Sequence, residues 1–131
     1  TEWSVGLAAG ISIRRPRSHV GNAASTQLQV DIYGEVIHCL DLARRGGVPV
    51  SAQEAEVTLR IIRHLETIWE REGSGLWEFR SECRHYTYSK VMAWSAFDCF
   101  VRHQRALGDA AVIAPSEIDR YQALCATIHA Q

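Results

Sequence analysis

Two kinds of helix alternate along this chain, and that alternation limits the folds open to it more than any other feature. The first helical stretch, from about Ala23 to Arg45, carries Leu28, Val30, Ile32, Tyr33, Val36, Ile37, Leu40, Leu42 and Ala43 on more than one face. A helix apolar on that many sides is expected to be buried on most of them. Gly46-Gly47 ends it, and Pro49 stops it from resuming. Ser51, with Glu54 three residues on, has the form of a capping box for a second helix reaching about Glu72. Here Val57, Ile61, Leu65 and Ile68 fall on one stripe, with Ile62 and Trp69 beside it and charge elsewhere.

After Gly73-Ser74-Gly75, a third helix is expected from Thr87 or Ser89 to Leu107. Its Val91, Met92, Ala93, Trp94, Ala96, Phe97, Phe100 and Val101 leave little polar surface. Gly108-Asp109 closes it. The fourth starts at Pro115-Ser116, proline being tolerated in a first turn, and runs to about residue 130 with Ile118, Tyr121, Cys125 and Ile128 on one stripe. Helices apolar all round belong inside, and one-sided helices belong outside. The expected fold is all-α, two inner/outer helix pairs in concentric layers, without a strong sequence repeat between the pairs. Residues 1–21 read as an entry loop with room for one short strand around Ile11 and Ile13.

A length of 131 residues suits one modest core. A formal charge of -1 and 22% charged residues offer no basic surface for nucleic acid and no acidic tail. No apolar run approaches a membrane span. The chain opens on Thr1 and closes inside a helical pattern, so the expectation is a piece of a longer polypeptide. With no secretory signal visible, the expected location is cytoplasmic. Cys39, Cys83, Cys99 and Cys125 lack metal-ligand spacing, and Cys39, Cys99 and Cys125 read as small buried residues. His38, His64, His103 and His129 lack paired ligand spacing, so no metal is expected.

In a stack of such pairs, the segments leading into the inner helices lie at one end. The first is Arg14 to Asn22, and the second is Gly75 to Tyr86. The other end receives bland turns. The first end therefore collects the candidate site residues. Glu78 stands beside Trp77 in a glycine-entered segment. An indole strips water from a neighbouring carboxyl and raises its pKa, which suits an acid that protonates a leaving oxygen. An isolated loop carboxylate is more often simply solvated. Lys90, at the start of an apolar helix, sits against that helix's positive end, so its position points to a hydrogen bond with a hydroxyl or a carboxylate; snorkelling to solvent is the alternative. His85 either orients the acid-bearing segment or binds a hydroxyl. Arg15 either lines the site or is solvated or paired. Gln27 shares a helix face with Asp31, and its role stays open while Asp31 reads as structural. Trp94 reads as core.

Three stretches carry a resemblance. Gly21-Asn22-Ala23-Ala24 with Gln27 to Val36, then Gly75-Leu76-Trp77-Glu78-Phe79-Arg80, then His85 to Trp94 resemble the corresponding motifs of glycoside hydrolase family 15, the glucoamylase-like enzymes that include glucodextranases and bacterial trehalases. The resemblance implies part of an (α/α)6-barrel catalytic domain with the remainder of the barrel supplied by further chain. It implies an inverting hydrolase of α-glucosidic bonds acting on an oligosaccharide or disaccharide glucoside without a cofactor. Glu78 becomes the general acid and Trp77 a wall of the sugar site, or alternatively core. Lys90, His85, Gln27 and Arg15 become candidate substrate-binding residues. Inverting enzymes hold two carboxyls roughly 6.5–9.5 Å apart, and no carboxylate here matches the family's base motif, so this chain alone is expected to be inactive. Gly73-Ser74 departs from the acidic residues that many relatives carry there. The competing reading is a non-catalytic helical module that binds carbohydrate or protein.

Overall fold

The computed structural model describes residues 28–73 and 85–131. The elements among them are four α-helices and one 3-10 turn: α1 (Asp31–Arg45), α2 (Ala52–Ile68), α3 (Thr87–Leu107), the turn Gly108–Ala110, and α4 (Pro115–His129). The expected strand near Ile11 lies outside the described residues.

Each boundary has a local cause. Gly47 adopts φ 89° after α1 and Gly108 adopts φ 55° after α3, backbone states that cost glycine least. The Ser51 hydroxyl accepts the Glu54 N–H at 3.0 Å, so half of the expected capping box forms. Glu54's own carboxylate accepts instead from Arg44 Nε at 3.0 Å, which ties α2 back to the end of α1. Pro115 opens α4, where the Glu117 carboxylate accepts the Ala114 N–H at 3.3 Å.

Two expected boundaries shift. Leu28 to Val30 are not helical, so α1 starts later than about Ala23 predicts, with Asp31 as the acid of its first turn; residues 23–27 lie outside the description. The second helix stops at Ile68 rather than near Glu72. Its last turn tightens, the Arg71 N–H bonding Ile68 O at 2.9 Å, as Trp69 turns into the core at 6% exposure.

Packing produces two layers. α1 and α3 lie side by side and parallel. Gly34 faces Met92 near their starts, and Arg102 reaches Asp41 near their ends. The approach at Gly34 is close: a Cβ there would lie 2.7 Å from the Met92 carbonyl carbon, so only glycine fits. α4 runs antiparallel to α3. Tyr121 stacks on Phe97 with centroids 5.7 Å apart and meets Phe100 edge-on at the same distance. Ile37, Ile62, Leu65, Phe97, Phe100 and Tyr121 are fully buried, and each such side chain contributes about 1.5–3 kcal/mol of transfer free energy. The outer helices α2 and α4 are bridged through long side chains: Glu66 accepts from Arg120 and, at 3.1 Å, from the Tyr121 hydroxyl.

Several burial expectations are corrected. The buried residues of α2 are Thr58, Ile62, Leu65 and Ile68, so Leu65 and Ile68 of the expected stripe are buried while Val57 is exposed, and Arg44 Nη2 donates to Thr58 Oγ1 at 3.0 Å. Cys39 is exposed, whereas Cys99 and Cys125 are buried. Ile32 and Val91 are each 51% exposed and Val36 and Leu42 are open too, so α1 and α3 are buried toward their described neighbours only. The α4 stripe Ile118, Tyr121, Cys125 and Ile128 is buried as expected.

Candidate active site

Because α1 and α3 are parallel, the polypeptide enters both at the same end of the layer. The Tyr88 hydroxyl, in the first turn of α3, donates to the Glu35 carboxylate of α1 and links the two entrances. Gly73 on one side and His85 on the other bracket the segment that bears Glu78. Glu78, Trp77, Gln27 and Arg15 lie outside the described residues.

Lys90 is partly buried, and its Nζ donates to Gln131 Oε1 at 3.1 Å. That places the ammonium beside the C-terminal end of α4, whose partial negative charge offsets the unfavourable start of α3. The partner is the Gln131 amide oxygen, neither the hydroxyl nor the carboxylate expected from sequence, and it comes from a helix end that sequence spacing does not reveal. His85 is half exposed, with Nε2 3.8 Å from Glu72 Oε1. Both His85 and Lys90 line a cavity of about 410 Å³ between the start of α3 and the end of α4, together with Val91, Trp94, Ile128 and His129. Trp94 is therefore only partly core: its ring borders this cavity, tilted against His129 with centroids 6.3 Å apart. An apolar wall with polar groups at its rim is the surface a sugar ring uses, its C–H face on the aromatic and its hydroxyls at the edge.

One group at this end was not singled out by its chemistry. Asp31 is 2% exposed, and among the described residues neither of its carboxylate oxygens has a hydrogen-bond partner. With Gln29, Ile32 and Glu35 it lines a second, smaller cavity of about 100 Å³.

The opposite end is built differently. Arg44 bonds both Glu54 and Thr58, and the Gln104 side-chain amide oxygen accepts the Val112 N–H at 2.9 Å. Burial, and then the nearby Arg44 charge, holds His103 below its usual pKa. Burial pushes the Cys125 thiol up to about 11, and burial followed by the Asp41 charge raises Cys99, so both are poor nucleophiles. Arg44 and Gln104 thereby tie helix ends together at this end. Among the described residues, no three His, Cys, Asp or Glu side chains group as a metal site, and no helix is long and apolar enough to cross a membrane.

The family model of glycosyl hydrolases family 15 matches residues 4–131. The chain belongs to glycosyl hydrolases family 15. Within this family it is similar to a trehalase of Thermoplasma acidophilum, 36% identical over 89 residues, covering 68% of this chain and 15% of the relative. A trehalase of Thermoplasma volcanium is 37% identical over 95 residues, covering 72% of this chain and 15% of the relative. A trehalase of Mycobacterium tuberculosis is 34% identical over 79 residues, covering 60% of this chain and 12% of the relative. The chain thus spans a small part of the length of the family 15 relatives it matches. No solved structure gives a significant match.

Proposed function

We propose that this chain is part of an inverting glycoside hydrolase that cleaves α-glucosidic bonds, with Glu78 as the general acid. The observation that carries the reading is the family 15 match, which spans the Gly75 to Arg80 stretch and both inner-helix entrances. Glu78, its pKa raised by Trp77, donates its proton to the glycosidic oxygen as the C–O bond breaks. A carboxylate from chain beyond these residues removes a proton from water on the far sugar face, as inversion requires. Lys90 and His85 bind hydroxyls at the rim, with Trp77, Gln27 and Arg15 completing the sugar site. The names of the similar proteins put trehalose first among substrates, ahead of α-glucans. The chemistry asks for no cofactor.

Glucose release by the full-length polypeptide from trehalose, maltooligosaccharides and dextran tests this. Glu78→Gln should lower kcat by about 10²-fold or more, since a positioned general acid supplies that much, with the helical circular dichroism unchanged. Retention of most activity rejects the acid assignment. Absence of hydrolysis by the wild type on every glucoside rejects the enzyme reading in favour of a binding module.

A further inference from the structure

The start of α3 has no capping side chain among the described residues, whereas Ser51 caps the start of α2. Lateral contacts hold it instead. Between His85 and Lys90, three side chains reach three different parts of the fold. Lys90 donates to Gln131 beyond the end of α4, His85 lies 3.8 Å from Glu72 beyond the end of α2, and Tyr88 donates to Glu35 on α1. These ties are unequal. His85 and Glu72 are each about half exposed or more, and such a pair contributes little. The Tyr88 bond differs in kind, because it joins the two inner helices to each other. A phenol donating to a carboxylate is a charge-assisted bond. That bond is also the first cause of a Tyr88 pKa above its usual value, so the phenol stays a donor at neutral pH.

The position of the bond gives it leverage. Glu35 follows Gly34 directly, and Tyr88 precedes Met92 by about one turn. The Gly34–Met92 approach sets the distance between α1 and α3. A single contact of that kind leaves α3 able to roll about its own axis, and a second point one turn away stops the roll. Tyr88 supplies that point just after His85, where the chain that bears Glu78 joins the described fold. Reacting groups must be held within about 0.5 Å and about 10–20° of productive geometry, and a misplacement of about 1 Å costs about 10²-fold in rate. We propose that Tyr88 and Glu35 are positioning residues whose bond locks the roll of α3 against α1 and so fixes where the segment carrying the general acid enters that helix.

This role deepens the glycosidase reading and rests on it, and a pair of substrates separates the two. A sugar alkoxide needs the acid's proton to leave, whereas fluoride departs from α-D-glucosyl fluoride with little proton help. A defect in acid placement therefore slows the first reaction and spares the second, while loss of fold or of sugar binding harms both. In the full-length polypeptide, Tyr88→Phe and Glu35→Ala should each lower kcat about tenfold or more on whichever of trehalose, maltooligosaccharides or dextran the wild type cleaves best. KM on that glucoside and kcat on the fluoride should each stay within about twofold. The double variant should lose no more than either single one. Glu35→Gln, whose amide oxygen still accepts, should recover most of the loss seen in Glu35→Ala. Unchanged kcat, equal losses on both substrates, a change in KM alone, additive losses or no recovery by glutamine overturns the positioning role. Glu78→Gln is measured alongside. A selective loss in Glu78→Gln without one in Tyr88→Phe overturns the role and leaves the acid reading intact. No selective loss in Glu78→Gln, or a wild type that cleaves nothing, overturns both.

Discussion

Gly34 shows how much can depend on a missing methyl group. Glycine inside a helix costs roughly 1 kcal/mol relative to alanine, so its presence in α1 needs a reason, and the Met92 backbone supplies it. A backbone carbonyl cannot swing aside as a flexible side chain can. Gly34→Ala is therefore expected to destabilise by roughly 1–3 kcal/mol or more, the range for an overpacked contact, despite alanine's better helix propensity. Urea unfolding measures it, and an unchanged or raised midpoint would contradict the close approach. At this scale the sequence was informative where a residue type is chemically unusual in its setting. Lys90 at an apolar helix start stood out for that reason, while Glu78 beside Trp77, singled out in the same way, lies outside the described residues. Asp31 did not stand out, because an acid in a first helical turn is ordinary and only tertiary packing buries it.

The helices themselves were legible because their ends are chemically marked. α3 spans Thr87–Leu107 and α4 starts at Pro115 as periodicity and punctuation predict. The ends that moved, at α1's start and α2's finish, lacked a glycine or a capping side chain at the boundary, so tertiary contacts set them. Ser51 is the clearest cap, since its hydroxyl satisfies an otherwise orphaned N–H of α2. Ser51→Ala should cost about 1 kcal/mol, and Ser51→Asp should restore most of it. A drop in thermal stability not rescued by aspartate would mean that the serine acts through something other than the cap. The inner and outer character of the helices was readable from how many faces carry apolar residues, but which face meets which neighbour was not. On α2, Thr58 is buried and the expected Val57 is not, and the Thr58 hydroxyl accepts from a guanidinium on another helix.

Across the whole molecule, the open apolar flank of the inner pair bears on solution behaviour. Ile32 and Val36 on α1 and Val91 on α3 stand open while their helices are packed elsewhere, and the chain spans only 15% of the first relatives' length. The 131-residue chain on its own is expected to self-associate through this flank. Ile32→Gln with Val91→Gln should reduce association in sedimentation velocity without loss of helix content. A clean monomer with cooperative unfolding in the unmutated chain would argue against the idea. The layered all-α architecture was visible in the sequence because layers are a property of composition by face. The geometry of the acid-bearing segment was not, because loop chemistry names the residues without placing them. The outer layer has a different character from the inner one. Since α2 and α4 clasp each other through Glu66, Arg120 and Tyr121 while α1 and α3 meet backbone to backbone, the wall resembles staves tied by cord around a rigid hub. Outer staves of that kind tolerate drift in angle, and the hub fixes the spacing of the two helix entrances.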